Sequence, residues 1–409
     1  MQGLRGGAGK LDVATDRVNG TRGAHAVRAL RRAHGARAAR LTMRALASLA
    51  VAGCVTFARD MPTEGLPEVR TYLSRPDRAP ARGETVDTAP KELWRAKLGR
   101  SGTLGLPAVG ERAMVLTTPD RWLYALDTRT GKLLWRRRGD APYGAGPIVA
   151  GGLVFTGGEG PYARITGARI RDGRRRWTLR VGDVTAPLTW ANGTVYGVTT
   201  AGVAFAARAD DGHLLWRREI GPTRAAPVVL GTRVAFVTVT DTLATLDAAT
   251  GTIVHRATLA SSTTAAPTVL DDSTIVIADP AGGVFALAVP SGRERWRVAT
   301  GTPVLGPAVI ARDTAFALTT TCTLWRVPLA APAAADSIAI PECVTEAAPT
   351  VLRDGVLVAS VRGELILFDP RERRRVFTRP VRGHLQHPPV VLQGQIVVAP
   401  SLGEVVSFR

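Results

Sequence analysis

A proline that recurs about every 40 residues constrains the fold of this chain more than any other feature. Each copy follows a small or apolar residue and precedes a short apolar, often β-branched run. The copies are Pro107, Pro147, Pro187, Pro227, Pro267, Pro307, Pro349 and Pro389. Six of the seven intervals are 40 residues and the seventh is 42. A period of this length, with several short strands in each unit, is typical of β-propeller blades.

Each unit also contains a hairpin with a glycine at its centre. In the first unit the segment is LYALDTRTGKLLW (123–135), and the aligned glycines are Gly131, Gly173, Gly212, Gly251 and Gly292. Asp127 and Asp247 stand four residues before the glycine in the best-preserved copies. Glycine supplies the positive φ that a tight hairpin turn requires. Each unit contains three short runs, of which the third leads into the hairpin, and a returning strand after the hairpin. Four strands are therefore predicted in each unit.

An aromatic residue follows the hairpin glycine by four positions. The residues at this register are Trp135, Trp177, Trp216, His255 and Trp296. The strand that carries them is predicted to be the outermost of its blade, so these side chains would pack between neighbouring blades. The alternative is a row of aromatic rings that stack on a ligand. His255 is expected to pack as the tryptophans do.

The two ends of the repeat region complement each other. The last unit begins at Pro389 and reaches Arg409 after its third run, without an outermost strand. Residues 91–97, KELWRAK, form such a strand without a preceding blade and carry Trp94. An N-terminal strand that completes the last blade removes the exposed sheet edge. We therefore predict an all-β, eight-bladed β-propeller of four-stranded blades over residues 91–409, closed by its N-terminal strand.

The N-terminal region has the pattern of an export signal. A short apolar run, ALASLAVAG (45–53), follows Arg44, and Cys54 comes next. The run is too short to span a bilayer. Val51-Ala52-Gly53-Cys54 resembles the bacterial lipobox, which implies lipid attachment at Cys54; the alternative is a chance alanine-rich segment with a free cysteine. Since Val55 rather than aspartate follows, the resemblance favours the outer membrane.

The segments on either side of this run read differently. Residues 1–53 are interpreted as a disordered lead plus signal peptide, in which 1–42 lack hydrophobic periodicity and Met43 is an alternative start. Residues 54–90 contain five prolines among many charges. Such a composition buries little apolar surface and tends to stay extended. We interpret residues 54–90 as a tether.

The basic charge of the chain is spread along it rather than concentrated in a nucleic-acid motif. The formal net charge is +19, of which +8 lies in residues 1–53. The remainder includes three arginine runs, each predicted to lie at a corresponding place near a strand end: 136–138, 174–176 and 373–375. These arginines are interpreted as solvated strand ends, with an anionic membrane surface or an acidic partner as the alternative. No partner of the nucleic-acid class is expected.

The segment ALDTRTGKLLW, with Asp127, Gly131 and Trp135, resembles the repeat motif of PQQ-like propellers. Two groups share this motif: quinoprotein alcohol dehydrogenases, which hold pyrroloquinoline quinone with Ca²⁺, and BamB-type outer-membrane lipoproteins. The enzyme group carries an adjacent cysteine pair beside the cofactor, and this chain has none. Asp210-Asp211 and Asp271-Asp272 are interpreted as turn residues rather than Ca²⁺ ligands. His384 and His387 stay open as a ligand pair.

Cys322 and Cys343 are the two cysteines of the repeat region. Cys322 opens the third strand of the sixth unit and Cys343 follows the fourth, with the loop 329–336 midway between them. Folding the hairpin at that loop brings the two cysteines opposite each other. A disulfide is therefore predicted, which suits an oxidising periplasm. Two free thiols are the alternative.

These observations favour a protein that binds rather than catalyses. The resemblance implies a BamB-like lipoprotein scaffold at the periplasmic side of the outer membrane, bound to another periplasmic or outer-membrane protein such as the barrel-insertion complex. It would be a monomer within that complex, with no catalytic, cofactor-binding or metal-binding residues. The alternatives are a PQQ-dependent oxidoreductase and a propeller that binds a carbohydrate or another small ligand in its central channel.

Overall fold

The structure, a computed structural model, describes residues 64–69, 84–99, 102–261 and 263–409. Within these ranges the chain forms eight four-stranded antiparallel sheets, and a 3-10 turn at Pro332–Ala334 is the one helical element there. None of the helical structure in these ranges is long and apolar enough to cross a membrane. The eight sheets are the blades of a β-propeller, so the predicted fold class is confirmed.

The strands follow the 40-residue period. The first strand along the chain is β1 (Glu92–Lys97), which belongs to blade 8. Blade 1 comprises β2 (Leu104–Val109), β3 (Ala113–Thr117), β4 (Trp122–Asp127) and β5 (Leu133–Arg138). Blade 2 comprises β6 (Ile148–Ala150), β7 (Leu153–Thr156), β8 (Ile165–Arg169) and β9 (Arg175–Leu179). Blade 3 comprises β10 (Thr189–Ala191), β11 (Thr194–Val198), β12 (Val203–Arg208) and β13 (Leu214–Glu219). Blade 4 comprises β14 (Val228–Leu230), β15 (Arg233–Val237), β16 (Thr242–Asp247) and β17 (Ile253–Thr258).

The second half of the chain repeats the pattern. Blade 5 comprises β18 (Thr268–Asp271), β19 (Thr274–Asp279), β20 (Gly283–Ala288) and β21 (Glu294–Ala299). Blade 6 comprises β22 (Val309–Ala311), β23 (Thr314–Leu318), β24 (Thr323–Pro328) and β25 (Asp336–Ala339). Blade 7 comprises β26 (Thr350–Val351), β27 (Val356–Ser360), β28 (Glu364–Asp369) and β29 (Arg374–Pro380). Blade 8 comprises β30 (Val390–Leu392), β31 (Gln395–Val398), β32 (Glu404–Phe408) and β1.

The ring closes through β1. In each blade the strand at the recurring proline is innermost, and the innermost strands of most neighbouring blades contact one another, including β2 with β30. Strand β1 pairs antiparallel with β32, with Lys97 opposite Glu404. The Lys91 N–H donates to the Arg409 carbonyl at 2.7 Å, and the Arg409 N–H donates back at 2.9 Å. The predicted closure is therefore present, and the outer edge of β32, the last strand along the chain, is paired with β1.

The ring has two faces with different connections. One, called the hairpin face here, carries the turns between first and second strands and the glycine hairpins between third and fourth strands. The other, called the loop face, carries the turns between second and third strands and the connections from one blade to the next. Since every blade has the same strand order, each connection of one type lies on the same face all around the ring.

Tryptophans of the outermost strands join neighbouring blades in half of the ring. Each indole Nε1–H donates to a backbone carbonyl of the next blade: Trp94 to Thr128 at 3.0 Å, Trp135 to Ile170 at 2.9 Å, Trp177 to Ala209 at 2.7 Å and Trp216 to Ala248 at 3.0 Å. Each ring also lies directly against the hairpin glycine of that next blade, Gly131, Gly173, Gly212 or Gly251. These glycines have φ between 66° and 73°, and a Cβ on any of them would come within 2.4–2.6 Å of the indole. A buried tryptophan removes roughly 150–250 Å² from water, so these contacts bind the blades strongly.

Aspartate holds the same hairpins from inside. The Asp127 carboxylate accepts hydrogen bonds from the Thr130 N–H and hydroxyl, both at 2.8 Å. Asp247 repeats this with Thr250 at 2.8 and 2.9 Å. The backbone hydrogen bond from Thr250 lowers the pKa of Asp247. The aspartate thus fixes the turn on which the tryptophan of the preceding blade lies.

The other half of the ring lacks this arrangement. His255 stands at the tryptophan register of blade 4, and its Nε2 is buried without a partner among the described residues. The Thr245 hydroxyl instead donates to the Val289 carbonyl of blade 5 at 3.1 Å. Trp296 packs between blades as predicted, on an apolar cluster from blades 5 and 6, but it is only half-buried. The hairpin of blade 6 has no glycine for it to lie against.

Two described parts of the predicted tether pack against the propeller. Val69 exchanges two backbone hydrogen bonds with Val149, both at 2.8 Å, on the inner edge of the innermost strand of blade 2. The Gly65 carbonyl accepts the Arg112 N–H at 2.9 Å on the hairpin face. Residues 64–69 therefore enter the ring from the hairpin face, within the segment whose composition is interpreted as an extended tether.

The second part, residues 84–90, also lies on the hairpin face. The Glu84 carboxylate accepts the N–H groups of Gln393 and Gly394 at 3.0 and 3.1 Å, in the first turn of blade 8. The Glu84 carbonyl accepts the Arg353 N–H of blade 7 at 3.0 Å. Val86 packs on the core between these two blades. The other residues of the predicted tether lie outside the described part.

The first prediction separates the tryptophan contact from backbone strain. Gly173→Ala places a methyl about where the Trp135 ring now lies, whereas Gly151→Ala meets nothing within 4 Å, although both glycines have positive φ. Both variants carry the cost of left-handed backbone, about 1–2 kcal/mol. Gly173→Ala adds overpacking, typically about 1–3 kcal/mol. We expect the melting temperature to fall clearly further for Gly173→Ala, and equal falls would contradict the indole contact.

Candidate functional site

The eight connections between blades converge at the loop-face mouth of the central channel. They surround a cavity of about 410 Å³. Its lining is mostly glycine, alanine and proline, such as Gly105, Ala145 and Ala265. These small residues keep the connections narrow, so eight of them fit around one axis.

Threonines hold three of these connections in one conformation. Thr223, Thr263 and Thr345 each donate to a carbonyl of the second strand of their own blade at 2.5–2.7 Å. Each hydroxyl also accepts the N–H two residues later at 3.0–3.1 Å. The mouth is therefore built on fixed backbone rather than on long side chains.

Few polar side chains reach this cavity. Arg224 and Glu346 are exposed at its rim, and His387 is half-buried, with its pKa lowered by burial. The Thr103 hydroxyl has no hydrogen-bond partner among the described residues. Glu346 is the single carboxylate in the described lining. A Ca²⁺ ion prefers six to eight oxygen ligands, several of them carboxylates, so these residues do not fit a calcium–quinone site.

The two histidines proposed as a ligand pair have different surroundings. The His384 ring Nδ1 lies 2.5 Å from the Val361 carbonyl oxygen, which makes it a donor, while His387 faces the channel mouth. No group of three or more His, Cys, Asp or Glu side chains able to hold a metal occurs within the described ranges.

The two aspartate pairs lie in turns. Asp211, in the hairpin of blade 3, accepts the His213 N–H at 2.9 Å and pairs with Arg208 at 2.8 Å. Its pKa is lowered, first by the hydrogen bond from the His213 backbone. Asp271 accepts from Ser273 and Thr274 in the first turn of blade 5. These contacts occupy the carboxylates within their own turns.

Cys322 and Cys343 form a disulfide, with Cα atoms 5.5 Å apart. Cys322 lies in the turn before β24, and Cys343 lies in the connection from blade 6 to blade 7. Both are buried in the apolar cluster between these blades. The bridge ties a turn of blade 6 to the chain that leaves it, in the half of the ring without tryptophan–glycine contacts.

A basic groove that sequence reasoning missed lies on the loop face over blades 1 and 2. It is lined by Arg121, Arg138, Gly139, Asp140, Tyr162 and Arg164, and its volume is about 630 Å³. The arginine runs do not fall at corresponding places as the sequence suggested. Residues 136–138 end β5 on the loop face, whereas 174–176 and 373–375 lie at the start of β9 and β29 on the hairpin face. Only the first run reaches the groove.

The turn residue Arg121 carried the one local signal for this groove. It precedes the third strand of blade 1 and has a φ of 72°. Glycine occupies the equivalent position in four other blades, as Gly202, Gly282, Gly363 and Gly403. An arginine where the backbone favours glycine marks a position worth testing for function.

Comparison with known proteins identifies the family. A family model described as outer membrane protein assembly factor BamB matches residues 84–189 and 163–309, which together exceed half of the chain. The chain belongs to the BamB family. A BamB from Bordetella pertussis strain Tohama I is 25% identical over 267 residues, which cover 59% of this chain and 67% of that protein. Two further BamB relatives are matched over 30% and 34% of their own length.

Solved structures agree on the fold. BamB from Moraxella catarrhalis superimposes with a TM-score of 0.65 at 14% identity, over 78% of this BamB-family chain and 98% of the other. A europium-containing methanol dehydrogenase superimposes with a TM-score of 0.68 at 10% identity, over 83% and 98% of the two chains. At these identities the likeness concerns the propeller alone.

The second prediction concerns the disulfide. The bridge closes a loop with a sequence separation of 21, for which chain entropy gives about 3 kcal/mol of stabilisation. We expect dithiothreitol to lower the melting temperature of the wild-type protein. The double variant Cys322→Ser, Cys343→Ser should melt at that lower temperature with or without reductant. A wild-type melting temperature that reductant leaves unchanged, with thiol titration proving reduction, would contradict a stabilising bridge.

Proposed function

We propose that this protein is a non-catalytic lipoprotein scaffold that faces the periplasm and assists the assembly of outer-membrane β-barrel proteins. The observation that carries the proposal is membership of the BamB family over a region that builds more than half of the ring. The relatives matched along the chain bear the name of outer membrane protein assembly factors. A scaffold role is consistent with an assembly factor of this kind.

The disulfide supports the proposed compartment. Buried structural disulfides persist in oxidising environments such as the periplasm and are rare in the cytosol. Cys322 and Cys343 are both almost inaccessible to solvent. The disulfide and the export pattern before Cys54 therefore both favour the periplasm, although they lie in separate parts of the sequence.

The path of the chain supports an orientation at the membrane. Glu64, the first described residue, lies ten residues after Cys54 and beside the hairpin face. Ten residues span at most about 35 Å when fully extended. We therefore propose that the hairpin face, where the described chain enters the ring, is directed towards the membrane and the loop face into the periplasm.

The enzyme alternative is not supported by the residues at the channel mouth. A quinoprotein needs several clustered oxygen ligands, carboxylates among them, for its cation, and the described lining contributes one carboxylate, Glu346. The candidate aspartates are engaged in turns away from this mouth. A binding role requires no such cluster.

Crosslinking in the envelope tests the scaffold role. A C-terminally tagged protein would be purified from gently crosslinked envelopes and its partners identified by mass spectrometry. We expect the large barrel-insertion subunit with its sister lipoproteins. Recovery of cytochromes or another electron carrier, without barrel-insertion subunits, would contradict the proposal and favour the quinoprotein alternative.

The third prediction concerns the anchor. We expect Cys54→Ser to abolish incorporation of radiolabelled palmitate and to move the protein out of the outer-membrane fraction, because residue 54 then has no thiol to which the lipid could be attached. The double variant Cys322→Ser, Cys343→Ser is the matched control, since it removes cysteines but should keep the label. Undiminished labelling of Cys54→Ser would rule out lipid attachment at this residue.

A further inference from the structure

The basic groove on the loop face has more positive charge than its own acids balance. Asp140 is already paired with Arg175 at 2.6 Å. The guanidinium groups of Arg121, Arg138 and Arg164 have no ion pair or side-chain hydrogen bond with any residue in the described part of the chain. Two further carboxylates, Asp120 and Glu159, belong to the same two loops. Three guanidinium groups therefore line one groove without a side-chain partner among the described residues.

The backbone under these arginines is held firmly. The turn with Arg121 is closed by the Thr118 N–H, which donates to the Trp122 carbonyl at 2.9 Å. The Gly139 N–H donates to the Arg121 carbonyl at 2.7 Å, which joins the two loops of blade 1. Holding arginine at positive φ costs about 1–2 kcal/mol that glycine would avoid. The turn thus fixes the Cα from which the Arg121 side chain extends.

Aromatic side chains accompany the charges. The Trp122 ring lies under the Arg136 and Arg138 guanidinium groups, at 4.8 and 5.9 Å from its centroid. Tyr162 is 67% exposed, the largest exposure among the bulky apolar and aromatic side chains of the described residues. Arginine and exposed aromatic residues are the types enriched at the energetic centres of protein interfaces.

The blade 2 side of the groove is also ordered. The Gly160 N–H donates to the Asp183 carboxylate at 3.0 Å, and the Arg180 guanidinium donates to the Pro161 carbonyl at 3.0 Å. These bonds fix the loop that presents Tyr162. A groove with ordered walls loses less conformational entropy on binding than a mobile one would.

We propose that this groove binds a carboxylate-rich segment of a partner protein. Guanidinium groups bind carboxylates through paired, charge-assisted hydrogen bonds, and Tyr162 offers a rigid apolar surface beside them. We favour a protein over the membrane surface, because the chain enters on the opposite, hairpin face; this choice rests on the orientation in the proposed function. The groove would then be a contact through which the scaffold holds an acidic partner.

Peptide binding to the purified full ring tests this directly. The probe is a fluorescein-labelled hexaglutamate peptide, measured by fluorescence anisotropy at low salt. The triple variant Arg121→Gln, Arg138→Gln, Arg164→Gln should weaken binding by roughly tenfold or more, since it removes all three charge-assisted contacts. The matched control Arg293→Gln, Arg371→Gln, Arg373→Gln removes the same charge from the hairpin face and should bind like wild type. If both variants weakened peptide binding equally, the net charge of the protein would explain the effect, and the proposal would be overturned.

A single variant guards against misfolding. Arg121→Gly removes one guanidinium and relieves the positive φ, so we expect an unchanged or higher melting temperature together with weaker peptide binding. Unchanged peptide affinity in Arg121→Gly and in the triple variant would overturn the site.

Vesicles distinguish the membrane as a source of negative charge. Phosphatidylglycerol–phosphatidylethanolamine vesicles should bind the wild type and the groove variant equally. Vesicle binding lost only in the groove variant would assign the groove to lipid instead. This assay uses purified protein, so its outcome does not depend on the crosslinking experiment. If the groove variant still recovers the same partners from crosslinked envelopes, the scaffold role stands, but the groove is not the contact through which it acts.

Discussion

The interaction on which this ring depends is an indole from one blade lying against a glycine-centred hairpin of the next. A four-stranded blade has apolar side chains on both faces and cannot bury them alone. Its neighbours must cover them, and the tryptophan supplies both area and a hydrogen bond, as Trp135 does with Gly173 and the Ile170 carbonyl. The glycine meets two requirements at once, because its φ is positive and a side chain there would overlap the indole. This dual requirement explains why glycine and tryptophan recur together at a fixed spacing.

The ring is uneven in how its blades are joined. Four consecutive junctions, from blade 8 through blade 4, use tryptophan and glycine. The junctions after blade 4 use other means: Thr245 supplies a hydrogen bond where His255 does not, and a disulfide anchors blade 6. Residues 84–90 add contacts across the junction of blades 7 and 8. Different contacts therefore meet the same requirement at different junctions, which is to bury the apolar surfaces between neighbouring sheets.

The two faces divide the work that the proposed function requires. The hairpin face receives the N-terminal segments, through Val69 in the channel and Glu84 on the turn of blade 8. The loop face stays uncovered by any described segment and carries both the narrow channel mouth and the basic groove. This separation is compatible with the proposed scaffold, which would be anchored from one face and bind its partner from the other. The small residues of the channel mouth allow eight connections to converge there. The groove instead combines positive charge, the exposed aromatic side chain of Tyr162 and a fixed backbone.

The architecture of the ring could be predicted from the order and spacing of residues along the chain. The 40-residue period, the Asp–Gly–Trp spacing and the orphan strand with Trp94 sufficed to predict eight blades and their closure, because each blade repeats the same local requirements for turns and burial. The pairing of Cys322 with Cys343 could be expected for the same reason, since hairpin register sets which residues face each other. The groove shared by Arg121, Arg138 and Arg164, and the pairing of Val69 inside the channel, could be recognised only in the folded ring. The exposed arginines and the single β-bridge do not recur at a fixed spacing along the chain. Which residues surround them depends on the angle between neighbouring blades, and no local sequence pattern specifies that angle.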